Sequence, residues 1–401
     1  MDFYGYMRPN GKAGARNYVL LLPVNRSLNF IASNVERMTR NTRHFEIPAE
    51  TGRTEVDREV IARTLIGLMH NANVGGIVLL AVKSGAGSAY KNMCAERFEE
   101  EARKTGKPFR IVYLTNVGGS YNMLGETLRL TREVLLEVSD FRRENCPLSA
   151  LTLGVKCGTS DATSGIAGNP CVGAAFDQLI RAGGTAFFSE TTEIIGAEDL
   201  VAKRAVNESV AKKILSAARH WEDKAKATGE DIRKINPIPA NIAAGISSLE
   251  EKSLGAIAKS GTSPIQDVLK YAEMPKGSGL YFVDSWMSSL SLPLCLTACG
   301  ATIMLYQMGG GKIAQHPMMP SINPTVVSPF LYLTGNAIAY SRAPDNFDFD
   351  ASPIMTEGAS IPEMGTKLLE HLSAIASGTM TKMETLNYAE QLELYMEGPV
   401  L

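Results

Sequence analysis

The sequence predicts an α/β protein of two α/β halves with mostly parallel sheets and Rossmann-like layering. Three observations predict it. Short runs that are apolar at nearly every position alternate with longer segments of helical spacing. The alternation restarts around Glu144-Asn-Cys-Pro147, which sets an N-terminal domain at 1–147 and a C-terminal domain at 148–401. Polar, glycine-rich segments follow directly on the apolar runs, where parallel α/β folds place their ligands.

In chain order, Asn17–Val24 is a continuous apolar run, as in a strand covered on both faces, and Gly76–Val82 and Arg110–Leu114 repeat it. Residues 55–69 and 88–105 show helical spacing between them, Gly106-Lys-Pro108 stops the second helix, and residues 122–141 read as another. Beyond 147, Leu151–Val155 and Thr185–Ser189 are strands around a helix near Val172–Ala182. The charge-rich stretch Val206–Thr228 reads as a solvated surface helix, and Ile235-Asn-Pro-Ile-Pro-Ala240 as a linker or extended turn. Strands recur at Gly279–Val283, Thr302–Tyr306 and Phe330–Thr334, and residues 361–377 form a final helix.

Composition narrows the function. Apolar residues at 45% and charged residues at 20% exclude a disordered or fibrous chain. Lys plus Arg total 40 against 42 Asp plus Glu, without a basic block, so nucleic acid is not the expected partner. No apolar run approaches the ~20 residues of a membrane span. The start of the chain lacks a charged-then-apolar leader, so a cytoplasmic location is expected. The six scattered cysteines are expected reduced and mostly buried.

Four segments carry candidate chemistry. Lys156–Pro170 follows a strand: Lys156 is suited to a carboxylate, Asp161 to a metal or a hydroxyl, and glycines 158, 165 and 168 to close approach of a ligand; a structural turn with Cys157 buried is the alternative. Ser189–Glu198 brings Glu190, Glu193 and Glu198 together, hard oxygen donors that suit a divalent cation or a general base; helix capping would also explain them. In Gly245–Gly261, a serine with Glu250 or Glu251 resembles a capping box, and Lys252 and Lys259 read as plain helix residues. Met308–His316 offers an anion cradle with Lys312, though not a Walker loop; His316 is the one histidine placed beside a candidate loop. Cys295 and Cys299 are better explained by core packing than by zinc, and the absence of Gly-x-Gly-x-x-Gly after the first strand leaves a nicotinamide cofactor unsupported.

At these segments a resemblance enters. Gly5–Val19 resembles the opening motif of the large domain of altronate and galactarate dehydratases. Segments 156–173, 189–198 and 243–263 resemble three further motifs of that family, in order along most of the chain. Gly279–Ser285 is similar to the sulfolactate sulfo-lyase branch, while Asp284-Ser-Trp-Met287 and Met308–Lys312 depart from the sugar-acid members, and the stretch His316–Pro329 is unusual too. The resemblance implies metal-assisted β-elimination from a small 2-hydroxy (sugar) acid to a 2-oxo acid, with Lys156, Asp161 and Glu190 catalytic. Arg16, Asn17, Cys157, Ser160 and Lys312 would bind substrate, and Glu190 and Glu193 a divalent ion (iron, manganese or magnesium). It also implies a separate small β-rich subunit and a homo- or hetero-oligomer. Carbon–sulfur cleavage and a non-catalytic acid-binding subunit are the alternatives.

Overall fold

In the computed structural model the described residues are 1–82, 90–310, 323–387, 389 and 393–399. The first sheet is parallel. Strands β1 (Asp2–Met7) and β2 (Ala13–Gly14) precede β3 (Tyr18–Pro23), β4 (Thr42–His44), β5 (Val74–Ala81) and β6 (Phe109–Tyr113), and the last four pair in the order β4-β3-β5-β6. The unbroken apolar run of β3 is explained by cover on both sides. Val19 and Leu21 pack with residues of helices Asn29–Met38 and Ser120–Ser139, whereas Leu20 and Leu22 pack with those of Glu55–His70 and Ala95–Lys104.

The second sheet has seven parallel strands. These are β8 (Thr152–Gly158), β9 (Thr185–Phe188), β10 (Ile265–Leu269), β11 (Gly279–Val283), β12 (Ile303–Met308), β13 (Phe330–Thr334) and β14 (Phe349–Asp350), after β7 (Glu144–Pro147). Their order, β10-β11-β9-β8-β12-β13-β14, places β9, β10 and β11 on one side of β8, after which the chain crosses to β12 on its other side. That reversal opens a crevice beyond the carboxyl ends of β8 and β12. Helices Asn169–Arg181 and Ile361–Ala376 cover one face, packing on Leu153, Val155, Phe188 and Leu305. Helix Ser291–Cys299 covers the other and meets Glu55–His70 of the first sheet so closely that a Cβ on Gly67 would lie 2.1 Å from the Ala298 carbonyl oxygen. The two parallel sheets therefore share a buried layer, in which Cys295 and Cys299 are packing residues.

Every strand and helix expected from the apolar pattern has a counterpart among the described residues. The 88–105 helix is shorter than expected, running Ala95–Lys104, and positions 88 and 89 lie outside the described residues. The charge-rich stretch is the helix Glu208–Ala227, which buries only Val210, Ile214, Ala217 and Ala218. The pattern did not predict a third, antiparallel sheet, β2-β1-β7, because its strands are short and half-polar. Nor is Ile235–Ala240 a bare linker: it leads into the short helix Pro239–Ala243 and builds a wall of the candidate site. Among the described residues no helix is long and apolar enough to cross a membrane.

Candidate functional site

Lys156 and Cys157 are near the end of β8, and Glu190 follows β9, the strand beside it. Glu190 adopts φ 74°, ψ 63°, a left-handed conformation that costs a non-glycine residue on the order of 1–3 kcal/mol. The contacts that hold it there are specific. Its carboxylate is completely buried, accepts the Cys157 backbone N–H at 3.0 Å and the Lys156 ammonium at 3.1 Å, and closes on the Lys259 ammonium.

Lys259 and Lys252 arrive from the segment after the Ser248 cap, whose hydroxyl accepts the Glu251 N–H at 3.2 Å. Helix Leu249–Ile257 and the turn after it carry Lys252, Ala256 and Lys259 on one buried stripe. Gly173 makes the delivery possible: a Cβ there would lie 2.2 Å from the Ala258 carbonyl oxygen and push the Lys259 turn away. The Lys252 ammonium donates to Asn236 Oδ1 at 2.7 Å and Asn241 Oδ1 at 3.2 Å, and pairs with Glu193 at 3.1 Å. Lys259 lies 3.2 Å from Cys157 Sγ and 3.8 Å from Glu193 Oε2.

The cluster thus holds three ammonium groups and two carboxylates, leaving one positive charge in excess. Burial opposes the charge on Glu193, but Lys252, Lys259 and Lys156 outweigh it and hold this carboxyl at about 2. Burial likewise opposes the charge on Lys156 and Lys259; their carboxylate neighbours win, and both stay protonated. Burial, then the Glu190 charge, pushes the Cys157 thiol far up, so it is neutral.

Cys157, Glu190 and Glu193 offer ligand atoms within 4.8 Å of one another, as a metal site would. The donor set nevertheless does not fit a divalent ion. Each of the four carboxylate oxygens already faces a lysine.

The cluster opens into a hollow of 290 Å³ lined by Lys156, Cys157, Ser160, Glu193, Lys252 and Tyr306, with Ile238 and Ala240 as apolar wall. Lys259 and Glu190 lie behind it. The Tyr306 hydroxyl sits 3.0 Å from Ser289 Oγ, and the Lys156 ammonium lies 5.0 Å from the centre of the tyrosine ring. Among the described residues, two acceptors take hydrogens of Lys156, the Cys157 carbonyl and Glu190. An ammonium has three hydrogens. A larger groove of 770 Å³ runs along β10, but no member of the buried cluster lines it.

Of the residues singled out from sequence, Lys156, Cys157, Ser160, Glu190 and Glu193 are brought together. Arg16 and Asn17 are not. Arg16 pairs with Glu384 at 2.7 Å and donates to the carbonyls of Ala15, Ile375 and Thr379. Asn17 accepts from Arg8 at 2.8 Å and donates to Val138. Arg16 ties the start of the chain to its C-terminal part, Asn17 ties it to the helix Ser120–Ser139, and neither lines the hollow. Asp161 is held by Thr163, the Ser164 N–H and Asn336; it caps the following helical turn and lines an adjoining hollow instead of joining the cluster. Lys312 and His316 lie outside the described residues. The three glycines serve packing within the chain, Gly165 against Gly255, Gly168 against Gln307 and Gly158 against the Tyr306 hydroxyl. Lys252, Lys259 and Tyr306 were missed. The 252–256–259 spacing, one helix face shared with Ala256, was the available signal for the lysines.

Comparison with known proteins adds an independent line. Residues 148–399 match the family described as D-galactarate/altronate dehydratase, C-terminal, and residues 5–139 match the D-galactarate dehydratase/altronate hydrolase second domain. The (2R)-sulfolactate sulfo-lyase subunit beta of Chromohalobacter salexigens is 32% identical over 394 residues, covering 97% of this chain and 96% of the relative. Galactarate dehydratase (L-threo-forming) of Escherichia coli is 30% identical over 426 residues, covering 99% and 77%. Altronate dehydratase of Bacillus subtilis is 29% identical over 409 residues, covering 100% and 78%.

Proposed function

The chain belongs to the D-galactarate/altronate dehydratase family, and we propose that it is a lyase acting on a small 2-hydroxy carboxylate. In this reading it removes the proton α to the carboxylate, expels a β-hydroxyl as water and releases a 2-oxo acid. The observation that carries the reading is the buried Lys156–Glu190–Lys259–Glu193 cluster beside a hollow of 290 Å³, at the crevice where the sheet reverses.

The chemistry follows from the charges. The substrate carboxylate takes the remaining hydrogen of Lys156, with the Tyr306 hydroxyl alongside. Glu193 lines the hollow as a carboxylate, so it is the base. The ammonium groups that weaken it as a base also stabilise the enediolate. As the α-proton moves to Glu193, negative charge moves from that carboxylate to the substrate oxygens and stays within reach of the lysines. Collapse of the enediolate breaks the bond to the β-substituent, and the proton on Glu193 is at hand for a departing hydroxide. The enol then tautomerises to the 2-oxo acid. Glu190 touches no substrate in this scheme; it positions Lys156 and Lys259.

A second reading is carbon–sulfur cleavage, in which sulfite leaves with the bonding electrons and needs no proton. The near-complete mutual coverage with the sulfo-lyase subunit favours it. The word subunit in that relative's name supports a further proposal, that this chain works with a smaller partner chain.

One experiment separates these readings. Anaerobically prepared protein, with and without added ferrous, manganese or magnesium ion and with any co-purifying partner, is incubated with sugar acids, short hydroxy acids and sulfolactate. Oxo acid without sulfite is the expected result; oxo acid with stoichiometric sulfite establishes the second reading. No product from any acid overturns both.

A further inference from the structure

The three atoms that a metal ion would bridge are already bridged. Lys259 Nζ lies 3.2 Å from Cys157 Sγ and 3.8 Å from Glu193 Oε2, and it is in direct contact with Glu190 Oε2. Those three residues are the members of the metal-like cluster. We infer that the Lys259 ammonium is an internal cation occupying the position a divalent ion would take, and that the cluster is a lysine-for-metal site.

Three observations argue for a built position. Lys259 is 1% exposed, and its turn is seated by the close approach at Gly173. Its partners come from two other segments, Cys157 from β8 and the two glutamates from the loop after β9. Its carboxylate partners are shared in turn with Lys156 and Lys252, so no oxygen of either glutamate is left for an outside cation. A fixed ammonium then supplies permanent positive charge, which neither dissociates nor depends on metal supply. This differs from the metal-bound cluster expected from the family resemblance, and it holds whatever group leaves the substrate.

Cobalt(II) is a suitable probe, because a cobalt–thiolate bond absorbs in the near ultraviolet. Wild-type protein titrated with cobalt(II) is expected to show no thiolate-to-cobalt band that depends on Cys157. Lys259→Ala removes the internal cation and opens its place. That variant is expected to take up one cobalt per chain with the band, and to lose the band when Cys157→Ser is added. A Cys157-dependent band in the wild type overturns the inference, and this arm stands even where the variant fails to fold. A folded Lys259→Ala protein, verified by circular dichroism, that binds no cobalt also overturns it, because the cluster would then lack a cation position.

Discussion

Two regions of the molecule withdraw several charged side chains wholly or partly from solvent, and they use them differently. At the N-terminal end, Arg8, Arg16 and Arg143 are taken up mainly by backbone oxygens. Arg8 donates to Ala72; Arg16 to Ala15, Ile375 and Thr379; Arg143 to Tyr4, Ala15 and Ala376. The Arg16 and Arg143 bonds fasten β1 and the start of β3 to the end of helix Ile361–Ala376, and Arg8 fastens the end of β1 to the turn before β5. At the carboxyl end of β8, lysines face carboxylates and a thiol, one positive charge is in excess, and Lys156, Lys252 and Glu193 line a hollow. Buried charge satisfied by backbone is a fastening. Buried charge that keeps an unbalanced group against a cavity marks a candidate site. The residue types help to make the difference. Arginine's planar fork spreads over several carbonyls, whereas a lysine ammonium concentrates its charge at one point.

Substitutions can break or sharpen this contrast. The largest effect is expected for Glu190→Gln, which leaves Lys156 and Lys259 facing a neutral amide. Stability should fall by roughly 3–5 kcal/mol, as for a broken buried ion pair, and turnover should disappear, read by denaturant unfolding and product assay. Retained turnover in that variant would place the chemistry elsewhere. Lys156→Met comes next: kcat is expected to fall about 10²–10³-fold, the scale of losing one preorganised electrostatic group, in protein that still folds. A kcat within tenfold of wild type would remove Lys156 from substrate contact.

Arg16→Met tests the other end. It should cost roughly 1–3 kcal/mol of stability through the unpaired Glu384 and carbonyls, with kcat per folded molecule unchanged. A specific loss of kcat in folded protein would return Arg16 to the substrate-binding set.

The smallest effect is expected from pH in the middle range. Glu193 is held below its ordinary 4.5, so its contribution to stability is complete above that value and is lost as pH falls toward about 2. Lys259 is held above its ordinary 10.5, so its contribution is complete below that value and lost only as pH rises through its higher folded value. The cluster should therefore contribute a constant stability between these limits, and Glu193→Gln should remove its acid limb. A cluster-dependent change in melting temperature near neutral pH would contradict the charge assignment.

Much of the frame was legible. Val19–Leu22, Ile77–Leu80 and Ile303–Leu305 are apolar without a break, and that requires cover on both faces whatever the neighbours are. Lys156, Cys157, Glu190 and Glu193 were legible because each belongs to a polar segment that directly follows such a run. Arg16, Asn17 and Asp161 looked equally suited to a site. Arg16 is taken up by Glu384, 368 positions away, and Asp161 by Asn336, 175 positions away, which nothing local announced. The Arg8 partner of Asn17 and the Thr163 and Ser164 partners of Asp161 are near in sequence, where a local cap was the competing reading.

The sequence by itself determined the longer apolar strands, several of the helices between them and the loops from which a site would be built, because periodicity and turn chemistry act over a few residues. The short strands of the third sheet and β4, β10 and β14 were not among them. Only the tertiary structure decided which charges meet. Lys259 and Cys157 are 102 positions apart, yet their nitrogen and sulfur lie 3.2 Å apart. Whether a lysine is a solvated helix residue or an internal cation depends on what else is excluded from water around it, and that exclusion is a property of the packed core.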